Sequence, residues 1–285
     1  PLGILEGLKT IKSFKPHVVI GLGSYSALPV MVAGILKRIH RVIQEQNSIP
    51  GLTNRLLAPF AHKIFISFET TAQHFPKDKT VLTGNPIREG LCGERGKAPH
   101  DATHLLVLGG SLGAHFINTL CMAVLPDLLA RHPKLEVTLQ TGKQDLPAAQ
   151  KAFEEYGGRV HVEAFIEDMK SAYQRADFVI ARAGATTLAE LAACGLPAIL
   201  IPFPYAANDH QTENARYYAS RGGAILMPQS EISEETFTKT LENLLTDPEK
   251  LQAMATKMKA LGHPEAAESI ATTLLSLAAP TGSPS

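Results

Sequence analysis

Residues 109–114, with the sequence GGSLGA, have the composition of a turn that holds an anion. Glycines allow backbone N–H groups to approach a phosphate closely, and the N-terminus of the helix predicted to follow carries a partial positive charge. Ser111 adds a hydroxyl donor. A tight strand-to-helix turn without a ligand has the same composition, so this segment alone leaves both interpretations open.

A second segment of small residues, RAGATTLAE at positions 182–190, also follows an apolar strand and opens a helix. Its two threonines offer hydroxyls, and the helix N-terminus is again suited to an anion. Glu190 lies one turn into this helix, where a carboxylate is able to accept two ribose hydroxyls, as acidic residues do in nucleotide sites. The alternative is an acidic residue that only interacts favourably with the helix dipole.

A third segment, PFPYAANDHQ at positions 202–211, is rich in amide and hydroxyl groups. Such groups suit a neutral sugar, which is recognised through many directional hydrogen bonds, although a polar connecting loop would look similar. The segments QEQN (44–47) and GNPIR (84–88) have the same character. Arg88 is suited to a phosphate or a sugar, and the alternative for it is an ordinary surface arginine.

Residues with metal-ligand chemistry are scattered along the chain. The eleven histidines form no cluster with metal-ligand spacing, and no Asp-X-Asp occurs. The sequence therefore predicts neither a metal nor a cofactor, and a diphosphate leaving group would be stabilised by helix N-termini and hydroxyls.

The elements that must position these segments are strands and helices in regular alternation, which favours parallel sheets with right-handed crossovers. The pattern predicts an α/β protein with two Rossmann-like, doubly wound parallel-sheet domains. We expect a first domain over residues 1–91, a linker over 92–103, and a second domain over 104–264. A C-terminal helix over 265–279 and a disordered Pro/Gly/Ser-rich tail over 280–285 complete the chain.

Composition limits the class of protein. Lys+Arg and Asp+Glu both number 27 in 285 residues, so the formal charge is zero and no bulk positive field recruits nucleic acid. Three cysteines without paired spacing, Cys92, Cys121 and Cys194, argue against a disulfide framework or a zinc site and suit a reducing cytosol. No apolar run is long enough for a membrane span, and no signal peptide is recognisable. Pro1 in place of Met suggests that the natural N-terminus is absent.

Taken in order, these segments resemble one family of glycosyltransferases. The resemblance rests on QEQN (44–47) with PGLTNR (50–55), TGNPIR (83–88), residues 109–114, residues 182–190 and DHQ (209–211). The family is MurG, the UDP-N-acetylglucosamine:undecaprenyl-pyrophosphoryl-muramyl-pentapeptide N-acetylglucosaminyltransferases of peptidoglycan synthesis. The resemblance covers essentially the whole chain, to about residue 276.

The resemblance implies a two-domain GT-B fold and inverting, metal-independent transfer of N-acetylglucosamine from its UDP form to lipid I, which gives lipid II. It assigns the main chain at Ile166 to the uracil edge, Glu190 to the ribose hydroxyls and Gln211 to the glucosamine hydroxyls. The other donor-site residues that it implies are Asn47, Arg88 and Ser111, together with Ala185, Thr186, Thr187, Leu188 and Ala189 for the diphosphate.

Three departures from the family pattern affect the expected activity. Gln44 and Leu112 replace a histidine and a glutamine, which reads as tolerable variation. The family's first strand, glycine-rich loop and following helix are missing, and that loop carries the histidine proposed as the general base. The catalytic residue is therefore unknown, Glu45 is the nearest substitute, and we expect the chain to bind donor but to transfer sugar poorly. A fragment that only binds donor, or a UDP-sugar epimerase of the same architecture, is the alternative.

The first helix carries an apolar stripe formed by Leu2, Leu5 and Leu8. Further along, Leu36 is followed by the cations Lys37, Arg38 and Arg41. An apolar patch rimmed by cations suits an anionic bilayer surface, and the family resemblance places its membrane patch here. We therefore expect a peripheral protein on the cytoplasmic face of the bacterial inner (plasma) membrane. The alternative is that the leucines form the core face of the helix.

Overall fold

A computed structural model describes residues 2–92, 103–110 and 113–279. Strands and helices alternate throughout. The first part of the chain contains α1 (Leu2–Phe14), β1 (Val18–Gly21), α2 (Leu28–Leu36), β2 (His40–Glu45), α3 (Leu52–Leu57), β3 (Lys63–Ile66) and β4 (Thr80–Leu82), with short 3-10 turns at Tyr25–Ala27, Ala58–Phe60 and Glu69–His74.

The second part repeats the alternation with longer strands. It contains β5 (Thr103–Leu108), α4 (His115–Arg131), β6 (Leu135–Gln140), α5 (Gly142–Ala152), β7 (Val160–Glu163), α6 (Met169–Arg175), β8 (Phe178–Ala181), α7 (Ala185–Cys194), β9 (Ala198–Leu200), α8 (His210–Ser220), β10 (Ala224–Leu226), α9 (Glu234–Leu245), α10 (Pro248–Lys259) and α11 (Ala266–Ala278). Short 3-10 turns lie at Glu154–Tyr156, Ala207–Asp209 and Gln229–Glu231.

The chain divides into two compact units. The first comprises residues 1–87 and 263–285. Its described strands form one parallel sheet in the order β1-β2-β3-β4. Ile43 and Ile64 belong to a buried apolar cluster of this unit. Val42 and Phe65 belong to another, in which they pack against Ile270 of α11. The last described helix therefore contributes to the core of the first unit.

The second unit comprises residues 88–262. Its strands form a parallel sheet in the order β10-β9-β8-β5-β6-β7. Leu105 of β5 lies opposite Val137 of β6 on one side and Phe178 of β8 on the other. The chain winds outward from β5 through β6 and β7, then returns to β8 on the other side of β5. Ligands in open parallel sheets bind at such a switch point, beyond the carboxyl ends of the strands.

The predicted α/β class with two parallel-sheet domains is confirmed by this topology. The tail at 280–285 and most of the predicted linker, residues 93–102, lie outside the described residues. The predicted C-terminal helix is present as α11, and it groups with the first unit.

The cysteines correct one expectation from the sequence. Cys92 and Cys194 form a disulfide although they are 102 residues apart in the sequence. The folded second unit brings the segment after residue 87 beside the end of α7, a proximity that spacing does not reveal. Cys121 is buried and free, and burial raises the pKa of its thiol to about 12.

Candidate functional site

A cavity of about 840 Å³ opens in the second unit and gathers most of the residues that the sequence singled out. Its walls come from the loops after β5, β8 and β9, and it therefore lies at the switch point of the sheet. The lining residues that carry its chemistry are Arg88, Gly109, Gly110, Gly113, His115, Gln140, Ile166, Tyr173, Arg182, Thr186, Thr187, Glu190, Phe203, Gln211 and Gln229.

The glycine-rich turn after β5 needs its glycines for close packing. Gly113 has a φ of +80°, and a Cβ there would overlap the carbonyl oxygen of Thr141. A Cβ at Gly109 would overlap the backbone of residues 113 and 114. The turn is fixed further by Gln140, whose Nε2 donates to the carbonyl oxygen of Gly110 at 3.1 Å. Ser111 and Leu112 lie outside the described residues.

Helix α7 begins at the cavity wall. Gly184 precedes it in an extended conformation and provides no side-chain cap, so the first turn of α7 is suited to receive hydrogen-bond acceptors from a ligand. Thr186 and Thr187 line the cavity. Leu188 is fully buried and belongs to the core, and its N–H donates to the carbonyl oxygen of Gly184 at 3.0 Å. Ala185 and Ala189 are half-buried on the same helix.

Glu190 is a largely buried carboxylate that lines this cavity, with 8% of its surface exposed. Its Oε2 accepts a hydrogen bond from the Tyr173 hydroxyl at 2.8 Å. Burial raises the pKa of Glu190, and the Tyr173 hydrogen bond and the positive charge of Arg88 partly oppose this effect. Burial likewise raises the pKa of the Tyr173 hydroxyl far above its ordinary value. Glu190 is thus an acceptor whose carboxylate is held in place by the hydrogen bond from Tyr173.

The loop after β9 is held in place by two polar side chains. Arg182 donates to the carbonyl oxygens of Ile201 at 3.1 Å and Pro202 at 2.9 Å, and burial lowers its pKa. Gln211 accepts from the Phe203 N–H through Oε1 at 2.9 Å, which leaves its Nε2 group able to donate. Between these anchors, Asn208 and Asp209 both adopt left-handed backbone conformations, with φ of +54° and +52°. Such strain is common where a loop is shaped for a ligand.

The remaining predicted residues divide between the two units. Arg88 and Ile166 line the cavity of the second unit. Asn47 belongs to the first unit, where its N–H donates to Oε1 of Glu45 at 3.0 Å. Asn47 is not among the residues that line the cavity of the second unit.

Glu45, the substitute base considered from sequence, is poorly suited to that role. It is only 3% exposed. Its carboxylate accepts from the N–H groups of Asn47 at 3.0 Å and Gly51 at 3.1 Å, and from Nδ2 of Asn54 at 2.8 Å. These bonds fix the loop after β2, so Glu45 is a structural residue.

Sequence reasoning missed three functional candidates that the cavity includes. Tyr173 looks like an ordinary core aromatic residue of α6, and only its contact with Glu190 gives it another role. Arg182 opens a recognised segment, but its anchoring role depends on a loop 20 residues away. His115 directly follows the glycine-rich turn, a position that was a usable signal.

Comparison with known proteins identifies the family. Residues 104–270 match the model of the glycosyltransferase family 28 C-terminal domain, and residues 2–66 match that of the family 28 N-terminal domain. A curated relative from Geobacter metallireducens is 43% identical over 273 residues, which cover 94% of this chain and 75% of the relative. Its name is UDP-N-acetylglucosamine--N-acetylmuramyl-(pentapeptide) pyrophosphoryl-undecaprenol N-acetylglucosamine transferase.

Solved structures agree with this relationship. The crystal structure of Acinetobacter baumannii MurG superposes with a TM-score of 0.80 at 32% identity, covering 96% of this chain and 78% of that chain. A UDP-GlcNAc 2-epimerase from Neisseria meningitidis, bound to UDP-GlcNAc, reaches a TM-score of 0.69 at 14% identity, with 96% and 80% covered. The epimerase shares the fold alone. The expected GT-B class is therefore confirmed, and this chain belongs to the MurG family of glycosyltransferases.

Proposed function

We propose that this chain transfers N-acetylglucosamine from UDP-N-acetylglucosamine to undecaprenyl-pyrophosphoryl-N-acetylmuramyl pentapeptide. The observation that carries the proposal is the cavity at the switch point of the second unit, where Glu190 is held facing the cavity by Tyr173. Members of the family to which the chain belongs are named for this reaction.

The cavity offers separate groups for each part of a nucleotide sugar. The main chain at Ile166 reads the uracil edge in this proposal, and Glu190 accepts from the ribose hydroxyls. The start of α7, from Ala185 to Thr187, binds the diphosphate through its N–H groups and threonine hydroxyls, supported by the helix dipole. Nε2 of Gln211 donates to the sugar hydroxyls, since its Oε1 is already occupied by Phe203.

Arg88 adds a positive charge to the cavity that Glu190 lines, and this charge acts to lower the pKa of Glu190. We assign it to the phosphate or the sugar of the donor, because it lines the same cavity. Asn47 and Ser111 are assigned to the donor by the family pattern alone. Their support is the order of the sequence motifs around them.

Exposed leucines and cations on the first unit support a membrane surface as the place where a lipid-linked acceptor is reached. Leu2 is 78% exposed, Leu5 56% and Leu36 61%. Lys37 and Arg38, which follow Leu36, are exposed as well. Exposed apolar side chains on the same unit as exposed cations suit an anionic bilayer surface, so we propose peripheral attachment to the cytoplasmic face of the plasma membrane. In the described residues, no helix is long and apolar enough to cross a membrane.

The details of the patch differ from the sequence-based prediction. Arg41 is not part of its rim, because its guanidinium donates to the backbone carbonyl oxygens of Gly34, Ile39 and Phe60. Leu8 is half-buried. The buried positions of α1 are Gly7 and Ile11, so Leu2 and Leu5 are not core residues.

The activity is tested with radiolabelled UDP-N-acetylglucosamine and a water-soluble analogue of the lipid-linked acceptor. Label in the acceptor, with one UDP released for each sugar transferred, would support the proposal, whereas donor binding without label would correspond to the fragment that only binds donor. Conversion of UDP-N-acetylglucosamine to an epimer without acceptor would favour the epimerase alternative. Calorimetry without acceptor separates binding from transfer, and absence of donor binding would contradict the proposal altogether.

The membrane assignment is tested by co-sedimentation with vesicles of anionic or zwitterionic lipid. A Leu2→Gln/Leu5→Gln variant should lose binding to the anionic vesicles. Leu56→Gln is the matched control, since Leu56 is 58% exposed on α3 of the same unit. Equal sedimentation of the two variants would contradict the patch.

A further inference from the structure

An imidazole held by a buried carboxylate lies beside the glycine-rich turn of the cavity. His115 is the first residue of α4 and lines the cavity. Its Nδ1 lies 2.9 Å from Oδ1 and 3.1 Å from Oδ2 of Asp145. The His115 side chain is 76% exposed, whereas that of Asp145 is only 10% exposed. In this pair the carboxylate of Asp145 is buried, and the imidazole of His115 is accessible to a ligand.

The carboxylate of Asp145 is itself fixed. Oδ2 accepts from Nδ2 of Asn118 at 2.7 Å, and the same Nδ2 group donates to the carbonyl oxygen of Thr141 at 2.8 Å. Burial raises the pKa of Asp145, but the hydrogen bonds from Asn118 and His115 outweigh burial and hold the pKa below its ordinary value. Asp145 is consequently ionised at neutral pH, and it orients the imidazole with Nδ1–H toward α5.

This orientation decides what the other ring nitrogen is able to do. With Nδ1–H donating to Asp145, Nε2 is an acceptor in the neutral ring and a donor in the imidazolium. In the imidazolium, Nε2–H is a charged donor on a side chain that lines the same cavity as Gly109 and Gly113.

The other cationic side chains of the cavity interact with groups of the protein itself. Arg182 already donates to two carbonyl oxygens and, at 2.9 Å, to Oε1 of Gln229. The charge of Arg88 acts on Glu190. Asp145, which lies on α5, is the charged residue that contacts His115. These are the charged side chains that line the cavity or contact His115 among the described residues.

We propose that His115, oriented by Asp145, binds the diphosphate of UDP-N-acetylglucosamine and of UDP through Nε2–H in its imidazolium form. The proposal rests on the proposed function, because it takes this cavity as the donor site. It makes UDP binding depend on the protonation of His115, and it makes Asp145 a positioning residue. Charge-assisted hydrogen bonds to phosphate are about twice as strong as neutral ones, which justifies a measurable effect even at an exposed side chain.

The test is calorimetry of UDP and of uridine with the full chain between pH 6 and pH 8. Uridine has no phosphate, so it reports the rest of the site. In His115→Gln we expect UDP affinity at pH 6 to fall roughly tenfold, with uridine affinity unchanged. His115→Arg keeps a permanent cation and should bind UDP at pH 6 as tightly as the unmodified chain.

The pH profile distinguishes a charged contact from simple packing. The titration of the phosphate of UDP affects every variant, so the ratio of UDP affinities between the unmodified chain and His115→Arg isolates His115. This ratio should fall as pH rises from 6 to 8. Asp145→Asn should weaken UDP binding at pH 6 and leave uridine binding unchanged, because the imidazole loses the carboxylate that orients it. His161→Gln, an exposed histidine of β7 outside the cavity, is the control and should leave the profile unchanged.

Several results would overturn the proposal. Unchanged UDP affinity in His115→Gln at pH 6 would show that the ring does not contact phosphate. Equal losses for uridine and UDP would show that the substitution disturbs the whole site. If the unmodified chain binds neither UDP nor uridine, the proposed function fails as well, an outcome distinct from the other two.

Discussion

The pairing of Glu190 with Tyr173 predicts separate effects on stability and on nucleotide binding. Tyr173 is 2% exposed, and its hydroxyl donates to Glu190 at 2.8 Å. In Glu190→Ala the hydroxyl loses its acceptor, and an unpaired buried donor costs about 1–3 kcal/mol of unfolding free energy. In Glu190→Gln an amide oxygen replaces the carboxylate oxygen as acceptor, so we expect a smaller loss of stability.

Binding should respond to both substitutions. The carboxylate has acceptor capacity beyond the bond to Tyr173, which the ribose hydroxyls use in our proposal. Hydrogen bonds to a charged acceptor contribute about 1.5–3 kcal/mol. We therefore expect uridine to bind roughly 10- to 100-fold more weakly to Glu190→Gln and to Glu190→Ala.

The raised pKa of Glu190 sets the direction of the pH dependence. Burial is its main cause, opposed by Tyr173 and by Arg88. As pH falls through this raised pKa, Glu190 takes up a proton and loses acceptor capacity, so uridine affinity should decline while an ordinary glutamate with pKa 4.5 is still ionised. The effect on stability has the opposite sign. The folded state holds the proton more tightly, so the contribution of Glu190 to unfolding free energy is largest below pH 4.5 and declines as pH rises toward the raised pKa.

Calorimetry with uridine and urea unfolding of the same samples measure the two effects. Glu167→Gln is the charge-matched control, since Glu167 is exposed beside Ile166 and does not line the cavity. Tyr173→Phe should change stability with a smaller effect on uridine. Uridine affinity in Glu190→Gln equal to that of the unmodified chain at pH 7.5 would refute the ribose assignment. Unchanged stability of Glu190→Ala would refute the reasoning about Tyr173.

Three further predictions concern the framework around the sites. Gly113→Ala should destabilise the second unit by about 3 kcal/mol or more in urea unfolding, whereas Gly110→Ala should cost about 1–2 kcal/mol, because both have positive φ but only the first Cβ overlaps backbone. Cys92→Ser should lower the unfolding free energy by up to about 4 kcal/mol, since it opens the cross-link to Cys194; thiol titration of the denatured chain should find one free thiol before reduction and three after. Glu45→Ala should cost about 2–6 kcal/mol in the same unfolding assay, because it leaves the N–H of Gly51 and Nδ2 of Asn54 without this acceptor, at about 1–3 kcal/mol each; a cost under about 1 kcal/mol would show that the loop holds without it.

Much of the fold was predictable because parallel strands are apolar runs that residue type alone reveals. The strand at Phe178–Ala181 is buried throughout, and its sequence shows this directly. What the sequence could not reveal is which sheet a helix covers. The apolar face of α11 is compatible with either unit, and only its packing through Ile270 assigns it to the first.

The candidate site was predictable to the extent that its chemistry follows a strand end. Glu190 and Gln211 were found because small or amide-rich segments follow buried strands. Tyr173 and the pairing of His115 with Asp145 were not found, because their roles arise from contacts between elements 17 and 30 residues apart in the sequence.

Three buried carboxylates illustrate why residue type and position are not sufficient. Over the whole residue, Glu45, Asp145 and Glu190 are each at most 8% exposed. Glu45 has its oxygens occupied by donors of its own loop, so it stabilises that loop and has little capacity for a ligand. Asp145 is bound on one side by a buried amide and on the other by an accessible imidazole, so it acts through that imidazole. Glu190 is bound by one hydroxyl and lines the cavity, so it is the carboxylate able to accept from a ligand. The partners that the fold brings to each carboxylate therefore determine whether it supports, orients or binds.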